Sequence, residues 1–422
     1  MSNKKDASLP HADLSRRQFL VRSAGVAGVS MGIGVRPEKA QGGSGDSNPL
    51  RVALIGAGQR GMKLLSTLCE RDDVCVVGVV EPDPRRRGRA RILGRDSDAG
   101  PKNPNRRGFA DLDALIRYGQ RAAEAKEPID AVLIASPPHR HHEQALQTLA
   151  AGWHVYLEKP MALTVSDCDA VLRAALEAEE RGQVFQMGFQ RRYDPRYQAS
   201  VAAIRRGDAG PSPFVRAQWH AQSSPAPTKA WFYDRGRSGD LVVEQACHQI
   251  DVFNWMFDAL PDRACGFGGR MADVKANNGP PTTTGDFGAE VPSHQSVRDH
   301  YGLLLEYPNG GRVLLSHVSF AVPDRRFAGV EELVFGENLG VELGTARAWD
   351  RQGRARDLLT TPSPHGISDT RLAIDGFLGH VRSGDRPHAD ARAGHRATVA
   401  ALFALAALDS SRTLNIREFL DA

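Results

Sequence analysis

The chain has few cysteines, little net charge and no long apolar run, and each of these absences excludes a class of protein. Its five cysteines are scattered over 422 residues without a C-x-x-C pair, so neither a disulfide framework nor a cysteine zinc site is expected. The net charge is +4, and residues 1–46 contribute most of it, with seven Lys or Arg against four Asp or Glu. An electrostatic nucleic-acid partner is therefore not expected. No segment is long and apolar enough to predict a membrane-spanning helix.

Length and composition instead indicate an ordinary globular protein of more than one domain. The chain is 41% apolar and 25% charged, as soluble proteins commonly are. At 422 residues it exceeds the size at which a single hydrophobic core usually keeps growing. At least two domains are therefore expected.

The stretch from residue 50 to residue 81 has the pattern of a dinucleotide-binding βαβ unit. Two apolar runs, Leu50–Ile55 and Val74–Val80, flank a segment of helical periodicity at residues 62–69. The turn before that segment carries Gly56, Gly58 and Gly61 at the spacing G-x-G-x-x-G. The glycines allow a tight turn, close approach of a pyrophosphate and close packing of helix on strand. Glu81 ends the second run, where a carboxylate can accept the ribose hydroxyls of NAD and repel a 2′-phosphate. Glycine-rich turns also occur without a nucleotide, but here all the parts are in register. Arg85, Arg86 and Arg87 follow closely, so NADP stays possible.

The first 46 residues are expected to be a targeting segment and not part of the fold. Residues 15–20, SRRQFL, precede a weakly apolar stretch rich in Gly and Ala, which is the layout of a bacterial twin-arginine signal. The alternative is a basic tail without a targeting role. The signal predicts export to the periplasm through the twin-arginine machinery, which carries folded proteins. The cleavage site is not evident from the sequence.

The rest of the chain predicts two further structural units. Alternating strand and helix patterns continue to residue 188 and complete a six-stranded, doubly wound parallel sheet, so residues 47–188 form a Rossmann domain. Residues 189–392 have longer, partly alternating strands around one helix at 241–257, which predicts an α+β domain with an open, mostly antiparallel sheet. Residues 277–298 read as an insertion without periodicity. A helix at 393–410, within a terminal unit 393–422, is expected to pack back on the first domain.

Candidate catalytic residues occur in both domains. Glu158 and Lys159 end the fifth strand, at the sheet edge where open α/β sheets bind ligands, so the lysine can orient a substrate hydroxyl. Glu244, His248 and Asp251 share one face of the predicted helix at 241–257. Acids one turn away would orient the histidine and raise its basicity, as a general base requires. A solvated polar stripe is the alternative, and too few further ligands are present for a metal site.

Two more motifs follow the fourth and sixth strands. Residues 135–142, ASPPHRHH, place Ser136 and backbone groups at the cofactor cleft, although several basic side chains in a row are also typical of a solvated helix start. Arg191 and Arg192 stand where the two domains join. They could bind cofactor or substrate oxygens, or brace the interface.

Taken in order, these motifs resemble the Gfo/Idh/MocA oxidoreductases. The motifs are G-x-G-x-R-G, A-S-P-P-x-x-H, E-K-P, G-F-x-R-R and G-D-x-x-x-E-x-x-x-H-x-x-D, and the resemblance covers nearly everything from Leu50 to the C-terminus. It implies that Lys159 is the active-site lysine, with a cis peptide before Pro160, and that His248 is the catalytic histidine supported by Glu244.

The resemblance also implies roles for the other site residues. Asp251 would place the substrate, and His141 would lie near the nicotinamide. The residues expected to bind the cofactor are Gly56, Gly58, Gln59, Arg60, Gly61, Glu81, Ser136, His141, Glu158 and Lys159, and those expected to bind substrate are Asp251, Arg191 and Arg192. The chain departs from the family pattern at Glu244, where an aspartate is common, and at Asp240, where a second glycine is frequent.

Three functions are compatible with these residues. The first is an exported enzyme, with tightly held NAD, that transfers hydride to or from a sugar, polyol or sugar derivative. The second is an NAD-dependent glycosidase that works by transient oxidation and elimination. The third is a carbohydrate-binding protein without catalytic activity. By analogy, the second domain's open sheet is expected to pair with another copy of the chain.

Overall fold

The computed structural model describes residues 48–93, 106–222, 230–270, 297–360 and 366–421. The N-terminal 46 residues and most of the insertion at 277–298, both singled out in the sequence, lie outside these ranges. Two sheets organise the described residues, a parallel sheet of six strands and a mixed sheet of nine. The predicted fold class, a Rossmann domain followed by an α+β domain, is confirmed. Among the described residues, no helix has the length and apolarity needed to cross a membrane.

The first sheet has the doubly wound order β3-β2-β1-β4-β5-β6, with every pairing parallel. Its strands are β1 (Leu50–Ile55), β2 (Val74–Val80), β3 (Arg107–Phe109), β4 (Ala131–Ile134), β5 (His154–Leu157) and β6 (Phe185–Met187). The helices between them are α1 (Gln59–Cys69), α2 (Pro84–Ile92), α3 (Leu112–Glu124), α4 (His141–Ala150) and α5 (Val165–Glu180). The central strands are apolar along almost their whole length because helices cover both faces of the sheet.

The second sheet is mostly antiparallel, with one parallel pairing between β7 and β10. Its strands are β7 (Phe214–His220), β8 (Arg263–Gly269), β9 (His300–Glu306), β10 (Arg312–Val318), β11 (Gly329–Phe335), β12 (Leu339–Glu342), β13 (Arg347–Asp350), β14 (Ala355–Asp357) and β15 (Leu414–Asn415). The helices of this half are α6 (Pro195–Arg205), α7 (Arg235–Ser238), α8 (Asp240–Glu244), α9 (Cys247–Phe257), α10 (Asp369–Ser383), α11 (Ala391–Ser410) and α12 (Ile416–Leu420). Burial alternates along β9 and β10, so one sheet face packs on the helices and the other faces outward.

The prediction of a single helix over residues 241–257 is wrong. The helix is interrupted at Gln245 and Ala246, which separate α8 from α9. In a continuous helix the Glu244 carbonyl would accept the His248 N–H. Here the His248 N–H goes to the Gln245 carbonyl at 3.3 Å, and the Glu244 carbonyl accepts from Lys159 of the first domain. This tertiary contact replaces a helical hydrogen bond, and no glycine or proline in the sequence announces it.

The backbone at the start of α8 explains why Asp240 can stand where the family pattern often has a second glycine. Gly239 and Asp240 both have positive φ, +80° and +76°, a region that favours glycine. The buried Asp240 carboxylate accepts from the N–H of Leu241 at 2.6 Å and from Arg298 at 2.7 Å. Aspartate tolerates this conformation better than most residues because its side chain can bond locally to the backbone.

The C-terminal helix α11 lies between the two domains. Its Thr398 hydroxyl accepts from the N–H of Met161, and its His395 ring bonds to Asp169 of α5 at 2.8 Å. On the other side, the Arg396 carbonyl accepts from Asn254 of α9. The helix therefore contacts the first domain and also the helical layer under the second sheet, and β15 after it returns to pair with β8.

Candidate active site

A cavity of about 1120 Å³ opens between the two domains at the carboxyl edge of the parallel sheet. The first domain contributes the turn after β1, the end of β2, the turn after β4 and the end of β5. The second domain contributes Trp231, Arg237, Glu244 and His248. Motifs far apart in the sequence therefore line one space. The doubly wound topology brings the strand ends of the first domain together, and the second domain packs against them.

The glycine turn has the shape that a bound pyrophosphate needs. Gly56 has φ +90°, and a Cβ at Gly61 would lie 1.9 Å from the Gly56 carbonyl oxygen, so side chains are excluded at both positions. Gly58 begins α1 without a side-chain cap, and a Cβ on it would meet nothing within 4 Å. The start of α1 thus borders the open cavity, where an anion can accept hydrogen bonds from its first N–H groups.

Glu81 lies at the end of β2 on the cavity wall, as predicted. One carboxylate oxygen accepts the Ala57 N–H at 2.8 Å, and the other accepts the Asp83 N–H at 3.0 Å. These contacts fix a carboxylate beside the glycine turn, in the position that suits ribose hydroxyls. Arg86 also lines the cavity here.

Glu158 and Lys159 carry two ion pairs on consecutive residues. Glu158 accepts from Arg60 Nε at 2.6 Å, and the same guanidinium donates to Gln190 at 3.0 Å and to Thr370 of α10 at 2.7 Å. Arg60 was predicted to bind the cofactor. The structure commits its donors to protein partners, so it braces the glycine turn against β5 and the second half of the chain.

Lys159 bonds to both the backbone and the side chain of Glu244. Its ammonium donates to the Glu244 carbonyl oxygen and, at 3.1 Å, to the Glu244 carboxylate. Burial disfavours the charged lysine, but Glu244, Cys247 and Glu158 outweigh this effect, and the pKa of Lys159 is raised above its ordinary value. The lysine is therefore a firmly charged donor at the cavity wall. The peptide bond before Pro160 is cis, as the family resemblance implied.

The prediction that acids raise the basicity of His248 is wrong. Its ring packs edge-on to Phe189 and stacks on Trp219, with ring centroids 6.1 Å and 6.2 Å apart. Among the described residues, neither ring nitrogen of His248 has a hydrogen-bond partner. Burial, together with the charges of Lys159, Arg191 and Arg60, lowers the pKa of His248 well below its usual value. Because the helix breaks, Glu244 turns to Lys159 and does not support the histidine.

Ser136 and His141 take different places at the turn after β4. Ser136 lines the cavity, and its hydroxyl bonds to Gln144 at 2.6 Å. His141 is buried behind this wall, with its ring nitrogens 2.8 Å from the Ser136 carbonyl oxygen and 2.6 Å from the Pro160 carbonyl oxygen. It joins the two cavity-forming turns, and burial lowers its pKa. Its predicted contact with the cofactor is therefore replaced by an indirect role.

The three residues predicted to bind substrate do not line the cavity. Arg192 makes a bidentate ion pair with Asp251 at 2.8–3.0 Å, and the aspartate is buried. Arg191 bonds to the buried Glu332 at 2.7 Å and lies over Tyr197. Of the two readings left open for the arginine pair, the structure supports the one in which it braces the interface.

Several cavity residues were missed in the sequence. Trp231, Arg237 and Asp111 line the cavity without belonging to any recognised motif. Trp231 and Arg237 come from short elements of the second domain, so no spacing relates them to the glycine turn. Within the described residues, no group of three or more His, Cys, Asp or Glu side chains is placed to hold a metal ion.

Comparisons with protein families agree with this architecture. Residues 50–189 match the model described as "Oxidoreductase family, NAD-binding Rossmann fold", and residues 197–341 match the "GFO/IDH/MocA C-terminal domain". These matches confirm the predicted oxidoreductase class and NAD as its cofactor. The glycine turn fits the diphosphate of NAD, and the Glu81 carboxylate fits its ribose hydroxyls.

Individual relatives extend the likeness. The D-glucoside 3-dehydrogenase of Escherichia coli is 28% identical over 372 residues, covering 85% of this chain and 95% of that protein. The inositol 2-dehydrogenase of Acidothermus cellulolyticus is 29% identical, covering 50% and 54%. The chain spans about half the length of several of the curated relatives it matches. The structure of scyllo-inositol dehydrogenase from Lactobacillus casei, with bound NAD(H) and scyllo-inositol, has a TM-score of 0.65 at 17% identity, over 88% of this chain and 100% of that one. This last likeness concerns the fold.

The ion pair between Lys159 and Glu244 predicts a measurable pH effect. The substitution Glu244→Gln removes a carboxylate that raises the pKa of Lys159, so the lysine should lose its proton at lower pH. If charged Lys159 is needed for turnover, the alkaline limb of the kcat–pH profile moves to lower pH. Glu143→Gln is the control, because Glu143 pairs with Arg140 at an exposed position. An alkaline limb that stays in place in Glu244→Gln would contradict this assignment.

Proposed function

Because the chain belongs to the Gfo/Idh/MocA oxidoreductase family, we propose that it oxidises or reduces a hydroxyl-bearing carbon of a sugar, polyol or sugar derivative. The observation that carries the proposal is the convergence of the glycine turn, Glu81, Lys159 and His248 on one cavity. NAD, when bound, accepts or returns the hydride. The glycine turn would hold its diphosphate and Glu81 its ribose.

The protein's own residues supply the proton chemistry. Lys159, kept charged by Glu244, donates to the substrate hydroxyl oxygen and makes that hydroxyl more acidic. His248 is neutral because its pKa is depressed, so its free ring nitrogen is available to take the hydroxyl proton. The hydroxyl carbon gives up a hydride and the oxygen gives up a proton, which leaves a carbonyl product and an imidazolium.

A second candidate reaction uses the same groups on a glycoside. Oxidation of a ring hydroxyl acidifies the neighbouring C–H, which allows loss of the glycosidic group, addition of water and reduction back to the alcohol. The relative that aligns over most of its length is named a D-glucoside 3-dehydrogenase, which favours glycosides as substrates. In this reaction NAD is regenerated in each cycle, so no NADH accumulates.

The oxidoreductase proposal predicts a specific dependence on His248. With a panel of aldoses, polyols and glucosides, the NAD-loaded protein should form bound NADH and turn over when an electron acceptor is added to reoxidise it. His248→Ala should lower that kcat by about 10²–10⁴ while leaving bound nucleotide unchanged. Because the histidine stays neutral, kcat should not fall as pH is lowered through about 6.5, the ordinary value for histidine. His142→Ala is the matched control, since His142 pairs with Asp167 and does not line the cavity.

The outcomes separate the three functions. Release of the aglycone from a chromogenic glycoside without NADH formation would favour the glycosidase. Full activity in His248→Ala would overturn the role of the histidine. A protein that binds sugars but turns none over would be a carbohydrate-binding protein.

Export is a separate part of the proposal, and the motif at residues 15–20 supports it. A folded protein carried through the twin-arginine route leaves the cytoplasmic NAD pool behind, so the cofactor would be held tightly and reoxidised in place. Replacing Arg16 and Arg17 with lysine should retain the protein in the cytoplasm, as fractionation of expressing cells would show. Unchanged export of that double variant would contradict the assignment of the signal.

The outer face of the second sheet would pair with another copy of the chain. Leu304 and Leu314, neighbours on β9 and β10, are 48% and 38% exposed, and Phe267 on β8 is 72% exposed. Exposed apolar surface of this kind marks an interaction site. Leu314→Asp should shift the protein towards monomer in light scattering, whereas Ile92→Asp, at an exposed position of the first domain, should not. A wild-type protein that is monomeric at all concentrations would rule out this pairing.

A further inference from the structure

Arg237 is a cavity-lining cation without an acidic partner among the described residues. It lies on α7, in the second domain, and its side chain is exposed at the cavity mouth. Arg235 of the same helix is tied to Asp409. No salt bridge or side-chain hydrogen bond of Arg237 occurs within the described ranges.

Three other cations that line the cavity each have an acidic partner. Lys159 pairs with Glu244 at 3.1 Å, and Arg60 pairs with Glu158 at 2.6 Å. Arg140 pairs with Glu143 at 3.1 Å. Two of the acids that line the cavity, Glu158 and Glu244, are thus already paired, and neither pairs with Arg237.

The surroundings of Arg237 extend this positive region across the domain boundary. Helix α7 packs against the short turn Pro138–Arg140 of the first domain, which brings Arg237 near His139. Burial and then the charges of Arg237 and Arg140 lower the pKa of His139, which places that ring within electrostatic range of both arginines. Trp231 adds an aromatic surface to the same wall.

We propose that Arg237 of the second domain, together with the Pro138–Arg140 turn of the first domain, forms an anion-binding subsite in the cavity. The ligand is an anionic oxygen group, supplied either by the diphosphate of NAD or by a carboxylate on the sugar substrate. A guanidinium suits both because its fork of N–H donors matches two oxygens. The subsite rests on the proposed function, since that proposal places NAD and a sugar in this cavity.

The test compares Arg237→Gln and Arg237→Lys with the wild-type full-length protein. Arg205→Gln is the matched control. It removes one surface arginine, at the end of α6, that pairs with Asp258 and does not line the cavity. In the first arm, mass spectrometry follows exchange of bound NAD with isotopically labelled NAD⁺. In the second arm, calorimetry on NAD-loaded protein compares D-glucose with D-glucuronate and D-galactose with D-galacturonate.

Loss of a charge-assisted contact should change affinity roughly tenfold. If the anion is the diphosphate, Arg237→Gln exchanges NAD roughly ten times faster. If it is a substrate carboxylate, the wild type binds the uronates roughly ten times more tightly than the parent sugars, and Arg237→Gln loses that preference. Arg237→Lys should keep part of either effect, and both should weaken as salt is raised.

The subsite is overturned if Arg237→Gln matches the wild type in NAD exchange and in uronate preference. A failure of the broader function is distinguishable from this result. In that case the wild type itself neither holds NAD nor turns over any sugar, whatever residue stands at 237.

Discussion

Two ion pairs on the consecutive residues Glu158 and Lys159 connect the parts of the site. Glu158 holds Arg60 of the glycine turn, and Lys159 holds Glu244 of the second domain. The backbone at the end of β5 therefore fixes the nucleotide-binding turn on one side and the catalytic helices on the other. Removing one partner of such a half-buried pair leaves the other charge uncompensated, which lowers the stability of the folded site. A β-strand end is a rigid support, so both halves of the site are placed by one element.

The second pair also contributes to the surroundings of His248. By engaging the Glu244 carbonyl, Lys159 takes the acceptor that a continuous helix would use, and by engaging the carboxylate it draws the acid away from the histidine. His248 is then left buried between two aromatic rings, and burial, together with the nearby cations, lowers its pKa. The site keeps a charged lysine beside a neutral histidine at neutral pH. A donor for the hydroxyl oxygen and an acceptor for its proton are thus present together.

Much of the fold follows from the sequence because its signals are local. The apolar runs of β1 and β2, the glycine spacing and the strand–helix alternation predict the Rossmann domain and the position of Glu81. The longer, partly alternating strands after residue 188 predict the second sheet. The break between α8 and α9 is not predictable in this way, because the residues around Gln245 suit a helix. The hydrogen bond that replaces the helical one comes from Lys159, which lies 85 positions from Glu244. The cavity positions of Trp231 and Arg237 likewise depend on domain packing. For the same reason, Arg192 and Asp251 were predicted to face substrate when they in fact face each other.

We infer that the cavity between the domains holds a nicotinamide dinucleotide. The most direct test is to denature the purified, desalted protein and identify the released nucleotide by mass spectrometry. Stoichiometric NAD is expected, because the uncapped start of α1, the open space beside Gly58 and the Glu81 carboxylate all fit it. Stoichiometric NADP would keep the cavity's role but contradict the reading of Glu81. A protein that releases no nucleotide and binds none when NAD⁺ or NADP⁺ is added would contradict the account.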